Sequence, residues 1–203
     1  NRAFSSLTTI DTVNFNAINC TKMGCIDYPV FDSLNFKKLT IGDKVESIPE
    51  AAFPSQYRIS SVDFPNSVKS IGDYAFRQCS LIKKLTIPNS VKTIGNYAFQ
   101  YCSNVDSLTI GDSVTEIGVR TFQGLKFMSS LKLGKSLKTI GMYAFEKCFS
   151  LPELILPNSL TTIGHYAFQG CTDLTSITIP ESVTYIGRSA FGKCTGLASL
   201  TFN

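Results

Sequence analysis

The sequence predicts an α/β repeat fold, a right-handed solenoid of 23-residue units with a parallel β-sheet along one face and short helical turns on the other. The first observation behind this prediction is the constant length of the repeat unit. Apolar unit starts recur every 23 residues, at Leu39, Val62, Leu85, Leu108, Leu131, Leu154, Ile177 and Leu200. The second is that one unit cannot bury its apolar side alone, so successive units must stack.

Each unit opens with a short strand. In the unit that starts at Leu85, the apolar Leu85 and Ile87 alternate with Thr86, which is the period of a strand with one buried face. Pro88 ends this strand and turns the chain, and Gly111 holds the same position in the next unit. Equivalent strands run in the same direction, so the predicted sheet is parallel.

The rest of the unit returns the chain to the start of the next strand. Val91 and Ile94 form a second inward-facing pair, and Gly95 follows at a bend that we expect to need unusual backbone angles. Ala98–Phe99 and Cys102 are spaced like the buried face of a short helix. This spacing predicts a helical turn in every unit.

We expect a single solenoid domain in three parts. Residues 1–38 form an N-terminal cap and irregular first repeat, residues 39–199 form seven units, and residues 200–203 begin a further strand. Val13–Phe15 looks like a first strand, and an insertion at 19–28 accounts for the longer first interval. The cap is irregular because a terminal repeat has one face in water.

The unit also carries a family resemblance. Val105, Leu108 and Ile110 match the LxxLxL core of leucine-rich repeats, and the longer frame with I-P, S-V, I-G, A-F and C resembles the BspA-like class. The resemblance covers residues 39–203 and implies a leucine-rich-repeat solenoid. It further implies a non-enzymatic surface or secreted protein of a host-associated microbe, where such proteins look like adhesins.

A serine replaces the asparagine that ordinary leucine-rich repeats place at the turn after the strand. The first unit has Lys44 there, and the other units have Ser67, Ser90, Ser113, Ser136, Ser159 and Ser182. Because serine hydroxyls bond readily to nearby backbone, we predict a serine ladder that satisfies buried turn amides.

Composition excludes several classes of protein. With 43% hydrophobic and 17% charged residues, the chain is not intrinsically disordered. A net charge of +4 without basic clusters does not indicate a nucleic-acid-binding protein. No apolar run approaches the roughly 18–20 residues of a membrane span. The chain begins with Asn1 and shows no signal peptide; we expect an extracellular or cell-surface location after removal of one.

The seven cysteines fall into two groups. Five share one position of the unit and therefore stack: Cys79, Cys102, Cys148, Cys171 and Cys194. Leu125 replaces cysteine in one unit, and parallel stacked thiols do not converge on a metal, so we interpret the column as buried packing rather than a disulfide or zinc site. Cys20 and Cys25 lie in the cap, where a local disulfide is possible and unassigned.

No catalytic, metal or cofactor site is predicted. The single histidine, His165, sits in a variable slot with no nucleophile or orienting acid beside it. Tyrosines also form a column at Tyr74, Tyr97, Tyr143 and Tyr166, which either stacks sugars or bases or serves as a structural ladder. Arg120 interrupts this column.

The exposed strand positions form the face that could bind a ligand. Most of them are Thr or Ser, and the residues that break this monotony are our binding candidates: Lys83, Lys84, Asp106, Lys132, Glu153 and Ile155. Phe127 and Phe149 fall at outward positions of adjacent units, as an apolar contact patch or as filling between units.

The predicted function is a leucine-rich-repeat binding module that adheres to a protein or glycan ligand on host or neighbouring cells. The alternative is a structural spacer that displays another domain and has no ligand of its own. Leu200–Phe202 would leave an uncapped strand edge, so end-to-end self-association through this edge is a further expectation.

Overall fold

The computed structural model describes residues 10–25, 27–31 and 34–203, and residues 1–9, 26, 32 and 33 of the predicted cap lie outside this description. The chain winds into a parallel β-solenoid. Equivalent residues of successive units pair in register, as Leu85 does with Leu108 and Ile94 with Ile117. The predicted solenoid, its 23-residue spacing and its parallel sheet are therefore confirmed.

Short strands form two walls of the solenoid and a hairpin in the cap. In the described residues they are β1 Thr12–Phe15, β2 Gly24–Cys25, β3 Tyr28–Pro29, β4 Lys38–Ile41, β5 Ser47–Ile48, β6 Ser70–Ile71, β7 Lys84–Ile87, β8 Thr93–Ile94, β9 Ser107–Ile110, β10 Glu116–Ile117, β11 Ser130–Lys132, β12 Thr139–Ile140, β13 Glu153–Leu154, β14 Thr162–Ile163, β15 Ser176–Ile179, β16 Tyr185–Ile186 and β17 Ser199–Phe202.

The strand wall carries the opening strands of the units in three separate ladders; the unit that starts at Val62 has an isolated bridge from Ser61 to Lys84 in place of a strand. These ladders are β1–β4, β7–β9–β11 and β13–β15–β17. The second wall is one continuous sheet of seven two-residue strands, in the order β5–β6–β8–β10–β12–β14–β16. In the cap, β2 and β3 form an antiparallel hairpin.

The predicted helical turns are wrong. The segments concerned, residues 97–101 and their equivalents in the other units, form a third wall that we call the turn wall. No helix occurs in the described part of the chain. Tyr97 and Tyr101 adopt left-handed backbone angles, with φ of 58° and 61°, which no α-helix allows. The N–H groups of Tyr97, Phe99 and Tyr101 donate to carbonyls of the following unit at 2.8–2.9 Å instead of to their own turn.

The turn wall has a uniform direction, because those of its N–H groups that join two units donate to the following unit. The first unit therefore presents carbonyl oxygens to the cap. From the cap, the Met23 N–H donates to the Glu50 carbonyl at 3.1 Å, and within the first unit itself the Gln56 Nε2 donates to the Pro54 carbonyl at 3.2 Å. The cap and a side chain of the first unit thus satisfy two of these acceptors.

A phenylalanine column fills the core from Phe53 to Phe191. Neighbouring rings lie 5.2–5.6 Å apart between centroids, and from Phe76 onward they are stacked nearly parallel. Beside it, Cys79, Cys102 and Cys148 are fully buried, and their thiols donate to phenylalanine carbonyls 26 residues earlier. All seven cysteines, including Cys20 and Cys25, are free. The interpretation of the column as buried packing is confirmed.

A second buried column is polar, and sequence reasoning missed it. The Arg77 Nε donates to the Gln100 Oε1 at 2.7 Å, Gln100 donates to Gln123, and Gln123 donates to the Glu146 carboxylate. The side chains of Gln100, Gln123 and Glu146 are nearly inaccessible to solvent. A cation at one end and an anion at the other fix the orientation of both amides, so every buried group finds a partner.

The predicted serine ladder is largely wrong. The hydroxyls of Ser159 and Ser182 donate to carbonyls of the preceding unit at 2.6 and 2.7 Å, not to amides, while the buried hydroxyls of Ser67 and Ser90 have no partner. Backbone amides are satisfied at other positions. The Asp73 carboxylate accepts a hydrogen bond from the Asn96 backbone N–H at 2.8 Å, and the Asn96 side-chain oxygen accepts one from the Val119 backbone N–H at 2.7 Å. Asparagine side chains do the same in ordinary leucine-rich repeats.

Gly95 is required for space and not for unusual backbone angles. A Cβ atom there would lie 2.4 Å from the Asp73 nitrogen and 2.6 Å from the Gly72 carbonyl carbon. We expect Gly95→Ala to lower the free energy of unfolding by about 1–3 kcal/mol, because backbone atoms of the preceding unit must move. Urea denaturation measures this, with the exposed Lys92→Ala as control. Equal stability of both variants would contradict the close-approach argument.

The cysteine column predicts selective thiol reactivity. Burial raises the pKa of the Cys79 and Cys148 thiols to about 12, whereas a hydrogen bond from Cys171 lowers the pKa of the half-buried Cys194 to about 7. Because the thiolate is the nucleophile, alkylation of Cys194 in the native protein should rise as pH increases through 7, as mass spectrometry of labelled peptides can follow. Labelling of Cys79 at a similar rate without denaturant would contradict this.

Candidate binding surface

The strand wall is interrupted between β4 and β7 and again between β11 and β13, and a proline stands at the second interruption. At equivalent positions, the N–H of Asp106 donates to Lys83 and that of Ser129 donates to Asp106, at 2.8 and 2.9 Å. Pro152 occupies this position in the next unit and has no N–H to donate to Ser129. β11 and β13 are consequently unpaired, although each pairs with its other neighbour.

The interruption loosens the packing beneath it. Leu85 and Leu108, which open the two preceding units, are fully buried. Leu131 and Leu133 hold the inward positions of β11 and the residue after it, yet both are only half-buried. Apolar surface is therefore partly accessible at the point where the sheet is interrupted.

Three of the predicted binding residues lie at this interruption. Lys132 is the last residue of β11, Glu153 is the first of β13, and Ile155 follows two residues later. Ile155 is 72% exposed at a position where most other units have threonine. Lys132 and Glu153 are exposed and form no ion pair in the described structure, so both charges remain open to a partner. We call Lys132, Glu153 and Ile155 the strand-wall break.

Shallow depressions flank the strand-wall break on both sides. One, of about 700 Å³, is lined by Thr86, Thr109 and Lys132, among others. The other, of about 310 Å³, is lined by Glu153, Ile155 and Thr178, among others. An uneven surface with an aliphatic side chain between two opposite charges can receive side chains of a partner.

The other three candidates lie apart from the strand-wall break. Lys84 is the first residue of β7 and pairs with Ser107 of β9, which in turn pairs with Ser130 of β11. Lys84 therefore lies two strands away from β11, the strand that contains Lys132. Lys83 and Asp106 precede β7 and β9, where the Asp106 N–H donates to the Lys83 carbonyl. At about 4.8 Å per parallel strand, this separation is about 10 Å, well within one protein interface. All are exposed and without ion pairs in the described residues.

Phe127 and Phe149 lie at the approach to the same strands. They are 59% and 36% exposed, so they do not fill space between units. Phe149 precedes Glu153 by four residues and Phe127 precedes Lys132 by five. The two rings therefore add exposed apolar surface on the chain segments that lead into β11 and β13.

His165 supports the backbone and does not form a reactive site. Its Nδ1 accepts the Arg188 backbone N–H at 2.7 Å, and its Nε2 lies 3.2 Å from the Tyr185 hydroxyl. Like the side chains of Asp73 and Asn96, the imidazole thus accepts a hydrogen bond from a backbone N–H of the following unit. Among the residues with described placement, no group of three metal-ligating side chains converges and no helix is long and apolar enough to span a membrane.

Solved structures of bacterial leucine-rich repeat proteins share this architecture. The T. pallidum leucine-rich repeat protein is 29% identical with a TM-score of 0.62, covering 70% of this chain and 66% of that one. A leucine-rich repeat protein from Bacteroides ovatus is 24% identical with a TM-score of 0.57, covering 94% and 60%. The pneumococcal vaccine antigen PcpA is 21% identical with a TM-score of 0.51, covering 96% and 51%. This chain thus spans half to two thirds of those proteins.

The repeat unit itself identifies the family. A comparison with functionally curated protein sequences finds no significant match. The model of the BspA type leucine-rich repeat region, in contrast, matches residues 1–106, 24–128 and 92–203 with six copies. These matches indicate no catalytic family. The chain therefore belongs to the BspA-type leucine-rich repeat family.

Proposed function

We propose that this protein is a non-enzymatic, extracellular or cell-surface binding module that recognises a protein ligand through its strand wall, with contact centred on the strand-wall break. Family membership supports the general role, because the concave or flat face of a repeat array is its usual recognition surface. Adhesion to host cells or matrix proteins is the biological setting that the family resemblance implies.

The single observation that carries the proposal is the exposed Ile155 between the unpaired Lys132 and Glu153. A large aliphatic side chain that is 72% exposed in an otherwise Thr/Ser-rich row serves no packing purpose. Protein interfaces combine such apolar anchors with flanking charges that set orientation and association rate.

The tyrosine column supports a protein ligand over a glycan stacked on aromatic rings. Tyr74 and Tyr97 stack at 4.7 Å between centroids, and Tyr143 and Tyr166 stack at 4.8 Å. One face of each ring is covered by its partner in the pair, which reduces the flat aromatic surface that the column offers to a sugar. The structural-ladder interpretation of this column is the one that the contacts favour.

The repeat supplies conservative variants for the test. Lys132→Thr combined with Ile155→Thr installs the residue that most units have at this position, so folding should be unaffected. We expect binding to immobilised host matrix proteins or intact host cells to weaken at least about tenfold, as measured by surface plasmon resonance or flow cytometry.

The matched control is Lys138→Thr, an exposed lysine of the same unit, next to β12 of the second wall, at a position where other units also have threonine. It should bind like the wild type. Equal loss in the control would indicate a nonspecific charge effect and contradict a strand-wall site. Absence of wild-type binding to every tested ligand would instead favour the structural spacer.

A further inference from the structure

The tyrosine column contains one cation, Arg120, held between two aromatic rings. The centre of its guanidinium lies 5.7 Å from the Tyr97 ring centroid and 4.6 Å from the Tyr143 ring centroid. With the stacked pairs on either side, the turn wall carries a continuous row of two tyrosines, one arginine and two tyrosines. The two faces of the guanidinium are therefore covered, and only its edge can reach a ligand.

The position of Arg120 is fixed by backbone as well as by rings. Its residue has a left-handed φ of 54°, and its N–H donates to the Met142 carbonyl at 3.0 Å. Its Nη1 donates to the Tyr97 hydroxyl at 3.4 Å. A guanidinium held in one plane loses little freedom when it binds a second group, which favours planar, two-pronged recognition.

The charge of Arg120 is not neutralised by the protein. No carboxylate forms an ion pair with it in the described residues, in contrast to Arg58, which pairs with Asp11. Its Nε is buried and has no hydrogen-bond partner. Within the described part of the chain, one of its five N–H donors has a protein acceptor, at 3.4 Å. A half-buried cation in this state favours an anionic partner.

We propose that the edge of Arg120, with the hydroxyls of Tyr97 and Tyr143 beside it, is a binding site for an oxyanion such as a carboxylate or sulfate group. The guanidinium fork provides parallel N–H donors, and phenol hydroxyls can donate to the remaining oxygens. This site lies on the turn wall and is independent of the proposed strand-wall contact.

Titration of the ring signals of Tyr97 and Tyr143 tests the site by NMR. Sodium acetate and sodium sulfate are added separately at constant ionic strength, with chloride as the balancing anion. We expect saturable shifts at both rings with at least one anion; saturation by acetate alone assigns a carboxylate, and by sulfate alone a tetrahedral oxyanion. Shifts that are absent or linear for both anions would overturn the proposal.

Three variants distinguish specific binding at Arg120 from a general effect of charge. Arg120→Tyr restores the column's own residue and should fold normally, as thermal melting can verify, but abolish saturation. Arg120→Lys keeps the charge without the planar fork and should weaken the anion about tenfold or more. Arg188→Asn removes an exposed arginine at a position where Asn96 stands in another unit, and it should change nothing. Saturation that persists in Arg120→Tyr would refute the assignment.

Discussion

Backbone hydrogen bonds between successive units hold this solenoid together. On the turn wall they run from Tyr97, Phe99 and Tyr101 to the next unit, and on the other walls they pair strands in register. Because these bonds hold the units at a constant register of 23 residues, every side chain sits above the same position of the previous unit. The close approach at Gly95 follows from this stacking, as does the local loss of pairing where Pro152 removes one donor.

The same stacking determines where polar and charged side chains can be placed inside. The buried amides of Gln100 and Gln123 donate along their column to the next unit, so the column needs an acceptor at its end, which Glu146 provides. An arginine in the tyrosine column likewise finds aromatic faces above and below it. Interactions that are isolated pairs in an ordinary domain become rows here, and the ends of each row decide its direction and charge.

The sequence was sufficient to predict the unit length, the parallel pairing and the buried cysteine and phenylalanine columns, since all of these depend on apolar spacing. It was not sufficient for the turn wall. The spacing of Ala98–Phe99 and Cys102 fits a helix as well as it fits the observed turns. A tyrosine at position 97 does not by itself indicate a left-handed φ. Hydrogen bonds to the next unit compensate that backbone strain, and they are a tertiary effect.

For the binding surface, the sequence identified residues that depart from the Thr/Ser rows, but not the reason why three of them lie together. The signal was Pro152, the one proline among the residues that stand just before the strands. Its meaning depends on knowing that this position normally donates a hydrogen bond to the previous unit. The expected self-association through the C-terminal edge stays a prediction.

A solenoid can tolerate the strand-wall break because its units interact mainly with their neighbours. The missing hydrogen bond costs about 0.5–1.5 kcal/mol, and the partial exposure of Leu131 and Leu133 adds to that locally. The second wall and the turn wall remain paired across the same two units, so the register is kept. A partner that covers the half-buried leucines would recover apolar burial that the free protein lacks. This interruption of the strand wall is therefore also a point where binding of a partner can recover apolar burial.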